Sequence, residues 1–181
     1  MTRWTSQIEQ ITEKFLETFN GLSEEELNWK PSPGVWSIAE NIVHLIQVNE
    51  SYFTGFSKLK KGDYNLPFTA RFGFVVRFFG NMILKSVQPE NKKKVKTFPI
   101  WNPKKSTYPK SILQDFRDHQ DRLKEEMNSL LDQVKENSII SSPVNRNLVY
   151  RLQTAFDIII AHEERHYNQA RELCDLLKKG K

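Results

Sequence analysis

Four long stretches in which apolar residues recur every three or four positions constrain this chain more than any other feature of its 181 residues. In the first, roughly Thr2 to Asn20, Trp4, Ile8, Ile11, Phe15 and Phe19 fall on one helical face, and Gly21 ends it. The second begins at Ser37, where Ser37-Ile38-Ala39-Glu40 has the form of a capping box. It runs to about Lys60 on Ile38, Ile42, Leu45, Ile46 and Phe53. The third starts near Pro109 and reaches about Glu136 on Ile112, Phe116, His119, Leu123, Met127, Leu130 and Val134. "SSPVNRN" then breaks the chain, and the fourth runs from about Leu148 to Lys178. No credible set of strands, no internal repeat and no low-complexity linker is visible. The pattern predicts an all-α chain, a four-helix bundle forming one domain over residues 1–181.

Residues 61–106 separate the second and third patterns and are numerous enough to cross the length of a bundle. They include an amphipathic piece around Thr69–Lys85. Phe68, Phe72, Phe74, Phe78 and Phe79 are expected to cover the bundle or a partner subunit, which makes a homodimer one expectation. Formal net charge is +5, and much of the excess sits in "KLKK" (Lys58–Lys61) and "KKKVK" (Lys92–Lys96), read here as solvated surface. No basic motif with interleaved aromatics of a nucleic-acid module is present. The most apolar segment, "FGFVVRFFGNMIL" (Phe72–Leu84), is interrupted by Arg77 and too short to span a bilayer. Neither nucleic acid nor membrane is therefore expected as a partner. The single cysteine, Cys174, excludes an intrachain disulfide, and the N-terminus lacks an apolar signal region, so a cytoplasmic protein is expected.

The chemistry is concentrated in "AHEERHYNQA" (Ala161–Ala170). The fourth stripe reads Ala155, Ile159, His162, His166, Gln169, Leu173 and Leu176, which puts three polar side chains in a row at core positions. An unpaired polar group in a core costs roughly 1–3 kcal/mol. Histidines at i and i+4 project from one face, so both rings can reach one ion; a hydrogen-bonded pair of core histidines is the alternative. "HEERH" also fits the zincin pattern with Glu163 as base, but only fifteen residues follow His166, too few for the usual distant third ligand. Counted from a midpoint near Ser142, His119 lies twenty-three residues back and His162 and His166 twenty and twenty-four forward, so the three are expected at one level. His119 is accordingly a candidate fourth ligand, substrate or cofactor contact, or a satisfied core histidine. On a strict wheel His44 falls away from the Ile42/Leu45/Ile46 stripe and reads as boundary or surface.

"PSPGVWSIAENIVHLIQVNESY" (Pro31–Tyr52) resembles the W-S-x-x-E…H-L segment of the DinB-like (YfiT-like) metalloprotein superfamily, and "AHEERHYNQA" resembles its H-x-x-R-H-x-x-Q segment. The resemblance covers nearly the whole chain and fits residues 61–106 worst. It implies a four-helix bundle with a long crossover between the second and third helices. It also implies one divalent ion held by His44, His162 and His166, which overrides the wheel reading of His44. Three imidazoles suit Zn, Ni, Fe or Mn and leave a position open, as catalytic sites do. The activity implied is metal-dependent hydrolysis, or transfer of a low-molecular-weight thiol to an electrophilic small molecule. Gln169 is a candidate contact to water or substrate, and Glu163 a candidate proton acceptor or ligand orienter. Arg165 is expected in a structural ion pair, Glu40 in a cap, and Cys174 as a plain helix residue. The other function class is a non-catalytic metal-binding or interaction module.

Overall fold

The computed structural model describes residues 2–91 and 97–179; the Lys92–Lys96 run lies outside the described residues. Helix α1 (Arg3–Phe19) is opened by a reciprocal cap between Thr2 and Thr5, and the short α2 (Glu24–Asn28) by one between Ser23 and Glu26. Helix α3 (Ile38–Lys61) has the Ser37/Glu40 capping box and stops at Gly62, whose φ of 71° suits a residue without Cβ. Then come a 3₁₀ turn (Phe68–Arg71), α4 (Gly73–Val87) and a second 3₁₀ turn (Pro99–Trp101). Helix α5 (Ile112–Asn128) and the short α6 (Leu131–Lys135) precede strands β1 (Ile139–Ser142) and β2 (Asn145–Arg151), and α7 (Leu152–Lys179) closes the chain.

Four long helices share one core: α1 and α3 each pack on both α5 and α7. Fully buried Phe15, Phe19, Phe56, Phe116 and Phe156 fill it, with Phe15 against Phe116 at 4.7 Å between ring centres. Such rings supply most of the apolar burial.

The structure corrects the sequence reading in four places. The chain is mostly helical, consistent with the all-α expectation, but it also holds a small hairpin where no strands were expected: "IISS" and "NRNLVYR" pair antiparallel, Ile140 opposite Tyr150, with a bulge at Ser141/Ser142. Residues 148–151 therefore belong to a strand, and α7 starts later than expected. Asn137, at φ 56°, ends the preceding helical run, and the Tyr150 hydroxyl, fully buried, hydrogen-bonds Tyr52 at 2.9 Å. The third helical pattern is two helices, since Leu130 leaves helical conformation (φ −114°, ψ 12°) while staying fully buried. Finally, Phe68, Phe72, Phe74 and Phe78 do not cover the core: α4 packs on α7 and β2 through Val76 and Gly80, and these rings face outward.

Candidate metal centre

The site is assembled by the N-terminal half of α3, the middle of α7 and the 3₁₀ turn at Pro99–Trp101. The α3 capping box fixes the first turn: Glu40 accepts from the Ser37 N–H at 2.8 Å and from the Lys30 ammonium at 2.6 Å. That turn sets Asn41, which donates through Nδ2 to the Ser37 carbonyl at 2.8 Å, so its Oδ1 must point the other way. One turn on, His44 is 2% exposed, which corrects the boundary or surface placement read from the wheel. Every residue from Ile38 to Leu45 is buried, so α3 has no solvent face there.

His44, His162 and His166 each present a ring nitrogen within 4.8 Å of the others, close enough that they could hold one metal ion. His44 and His166 are buried, and His162 is partly exposed. The tautomers are set from outside. Nδ1–H of His44 donates to the Trp101 carbonyl at 2.9 Å, and Nδ1–H of His166 donates to Asn41 Oδ1 at 2.7 Å. Both rings therefore turn an unprotonated Nε2 inward, as ligand histidines with an outer hydrogen-bond partner do. Nε2 of His44 is 3.3 Å from Nε2 of His162, and two ligands about 2.0–2.1 Å from a tetrahedral ion stand about 3.3–3.4 Å apart. Nδ1 of His162 is buried with no hydrogen-bond partner. If Nε2 of His162 carries the proton, the Nδ1 lone pair is stranded. If Nδ1 carries it, that donor is stranded and two Nε2 lone pairs face each other. A cation among the rings turns the two facing Nε2 lone pairs from a repulsion into ligation, leaving only the Nδ1–H of His162 without a partner, so the residues fit a divalent ion. Burial lowers the His44 pKa to about 4 against the pull of the Trp101 carbonyl, and burial with neighbouring imidazoles and Arg165 lowers His162 and His166 well below the ordinary value. All three are neutral near pH 7, the state a ligand needs.

Trp36 walls the site, 4.7 Å from the His44 ring and 6.1 Å from that of His166. Trp101 reaches the site through its carbonyl, and its own ring stands edge-on to Phe98 at 5.6 Å. Trp36 entered the sequence reasoning only as the first residue of the W-S-x-x-E motif, with no role at the site, and Trp101, its carbonyl and Asn41 were not singled out. A backbone carbonyl has no sequence signature, and Asn41 reads as one more polar helix residue.

The other candidates fall elsewhere. His119 reaches the expected level, since its neighbour Gln120 bonds Glu163, beside His162. Its ring, however, stacks on Phe53 at 5.7 Å, and its Nε2 is buried without a partner; it is not one of the converging ligands. Glu163 is 0% exposed and accepts from Asn49 Nδ2 at 2.7 Å and Gln120 Nε2 at 2.8 Å. Burial raises its pKa to about 7, and the two amides hold it down. Gln169 is half-buried one turn beyond His166, Arg165 donates to the Ser86 carbonyl at 2.8 Å, and Cys174 is buried. A separate cavity of about 640 Å³ beside the hairpin, lined in part by Tyr52, Lys58, Tyr64 and Ser141, contains none of the three histidines.

A family model described as the DinB superfamily matches residues 7–170. No curated protein and no solved structure matches the chain.

Proposed function

The chain belongs to the DinB superfamily, and on that premise we propose that it is a metal-dependent transferase carrying a small thiol to an electrophilic small molecule. Its metal ligands are His44, His162 and His166. Its four long helices are read as a four-helix bundle, with residues 62–111 as the crossover between α3 and α5. The observation that carries the proposal is the set of three neutral imidazoles, two with their Nδ1–H already committed to Trp101 and Asn41, converging within 4.8 Å. Three protein ligands leave room for a fourth.

When bound, the ion supplies Lewis acidity, which favours the deprotonated form of a thiol or water at neutral pH. The protein's part is to hold the rings: the α3 cap fixes Asn41, Asn41 fixes His166, and the Trp101 carbonyl fixes His44. Trp36 shields the rings of His44 and His166 on one side. Gln169 is read as a contact to the substrate at the opening. Glu163 is read as a tie among α7, α3 and α5, not as a base, because it is sealed from solvent with both oxygens engaged. That favours thiol transfer over hydrolysis, since a thiol with a pKa of about 8.5 needs less help to ionise than water. The same missing base favours, as second reading, a metal-carrying binding module without turnover.

Elemental analysis of protein purified without an affinity tag tests the site. About one divalent ion per chain, lost in His162→Ala/His166→Ala, is expected. Metal-dependent consumption of a thiol with a model electrophile then separates the enzyme from the binding module. A chain that takes up no Zn, Ni, Fe or Mn would end the metal reading.

A further inference from the structure

Large exposed apolar side chains gather on one face remote in sequence from the histidines. Phe68, Phe74 and Phe78 are 66%, 69% and 61% exposed, and Leu66, Phe72 and Met82 are each above 40%. Three of the rings are in contact: Phe68 meets Phe72 at 5.2 Å, Phe72 meets Phe74 at 6.0 Å, and the Arg71 guanidinium lies over Phe68 at 5.4 Å; Phe78 and Met82 follow Phe74 at successive turns of α4. Such a cluster is more than scattered surface apolarity.

Two facts indicate what covers it. First, α4 cannot roll to bury these rings. Its inner face is closed at Gly80, where an added Cβ would stand 3.2 Å from both Tyr150 Cβ and Thr154 Cγ2. With Val76 and Gly80 inward, the i, i+4, i+8 series Phe74, Phe78, Met82 is fixed outward, beside Arg77, Asn81 and Lys85. Second, the charge has one sign. The turn Phe68–Arg71, α4 and β2 pack together. They contribute Arg71, Arg77, Lys85, Arg146 and Arg151 and not one Asp or Glu. An apolar ridge beside cations on a helix pinned to the surface is the arrangement of a helix lying in a bilayer interface.

We propose that this face docks on an anionic lipid bilayer surface. Phe74, Phe78 and Met82 enter the boundary between headgroups and acyl chains, and Arg77 and Lys85 meet lipid phosphates. The attachment is peripheral, because no described helix is long and apolar enough to cross a membrane. This departs from the expectation of no membrane partner, which rested on the segment being too short to span a bilayer and so addressed insertion across the membrane, not docking on it. A second copy of the chain suits the face less well: two-fold pairing sets Arg71, Arg77 and Lys85 against themselves, and the turn, α4 and β2 carry no carboxylate to pair with them. Single-stranded nucleic acid matches the charge and could stack on the rings, but the flexible aliphatic Leu66 and Met82 in the same face suit acyl chains better, and oligouridylate is the probe that separates the two.

The experiment is co-sedimentation of the full chain with vesicles of phosphatidylcholine alone and of phosphatidylcholine mixed with phosphatidylglycerol. Binding to the mixed vesicles only, weakened by salt, is expected. Phe74→Ser/Phe78→Ser and Arg77→Glu/Lys85→Glu should each weaken it about tenfold or more with an unchanged circular dichroism spectrum, since all four side chains are exposed. Arg171→Glu/Lys178→Glu makes the same charge change on the end of α7 and should leave binding intact. Equal loss in that control would reduce the effect to net charge and overturn the proposal. So would no binding to anionic vesicles, a dimer that Phe74→Ser/Phe78→Ser dissociates in place of vesicle binding, or oligouridylate binding by this face in place of lipid.

Discussion

Asn41 is the sharpest test of the proposed centre, because it touches no ion and yet decides which nitrogen of His166 can. Its amide is oriented by the bond to the Ser37 carbonyl at 2.8 Å, and Oδ1 takes the His166 Nδ1 proton at 2.7 Å. In Asn41→Ala that acceptor is gone. The proton is free to sit on Nε2, the atom turned toward His44 and His162, and must be moved before the ring can ligate. Loss of such an outer partner typically weakens metal binding 10–100-fold, about 1.4–2.7 kcal/mol. The metal-free protein also loses two buried hydrogen bonds, about 1–3 kcal/mol of folding stability, so folding is checked first by circular dichroism. Affinity is then read by zinc titration against a chelator of known strength. Asn41→Asp separates the two effects: it keeps an acceptor, adds negative charge beside His166 and removes the donor to Ser37. It should bind zinc at least as tightly as the wild type while folding less stably. An Asn41→Ala protein that folds and binds zinc with wild-type affinity would refute the account of how the ligands are set.

Other substitutions test the frame around the site. Glu163→Leu leaves Asn49 Nδ2 and Gln120 Nε2 without their acceptor and should cost about 2 kcal/mol or more in urea unfolding. His119→Phe keeps the stack on Phe53 and removes a titrating group that burial, with Arg122 nearby, lowers from 6.5 to about 4. Between those values the unfolded chain binds the proton and the folded one does not, so this residue's contribution is whole above pH 6.5 and falls toward pH 4. Unfolding curves should therefore show the variant gaining on the wild type as pH drops through that window, by at most about 3 kcal/mol, with a constant difference above it. Gly80→Val places side-chain atoms where Tyr150 Cβ and Thr154 Cγ2 already stand at 3.2 Å from a Cβ and should lower stability by about 1–3 kcal/mol, seen as a lower thermal midpoint.

What the sequence made legible follows from what a helical wheel assumes. Where a long helix has one buried face, period alone placed it: α1 lies within a residue of its expected bounds, and His162 and His166 were found because they interrupt an apolar stripe. The wheel failed at His44 because residues 38–45 are covered all round, by other helices and by the turn at 99–101, so departure from the Ile42 stripe carried no information. Only the resemblance carried by two motifs, W-S-x-x-E…H-L from Trp36 to Leu45 and H-x-x-R-H-x-x-Q from His162 to Gln169, brought that third histidine in. The hairpin was hidden for a related reason. Val149 and Tyr150 are both fully buried, so residues 148–151 show no alternation, and a continuous apolar run does not distinguish a strand from a helix start. Helix α4 reverses the usual inference. Phe74, Phe78 and Met82 face out because the close approach at Gly80 fixes that side of the helix inward, with Val76 before it and Ile83, Leu84 and Val87 packing against the core beyond it. A reading that assigns bulk to the core expects those rings covered, and it is the closeness of the packing beneath them, not their own hydrophobicity, that leaves them exposed.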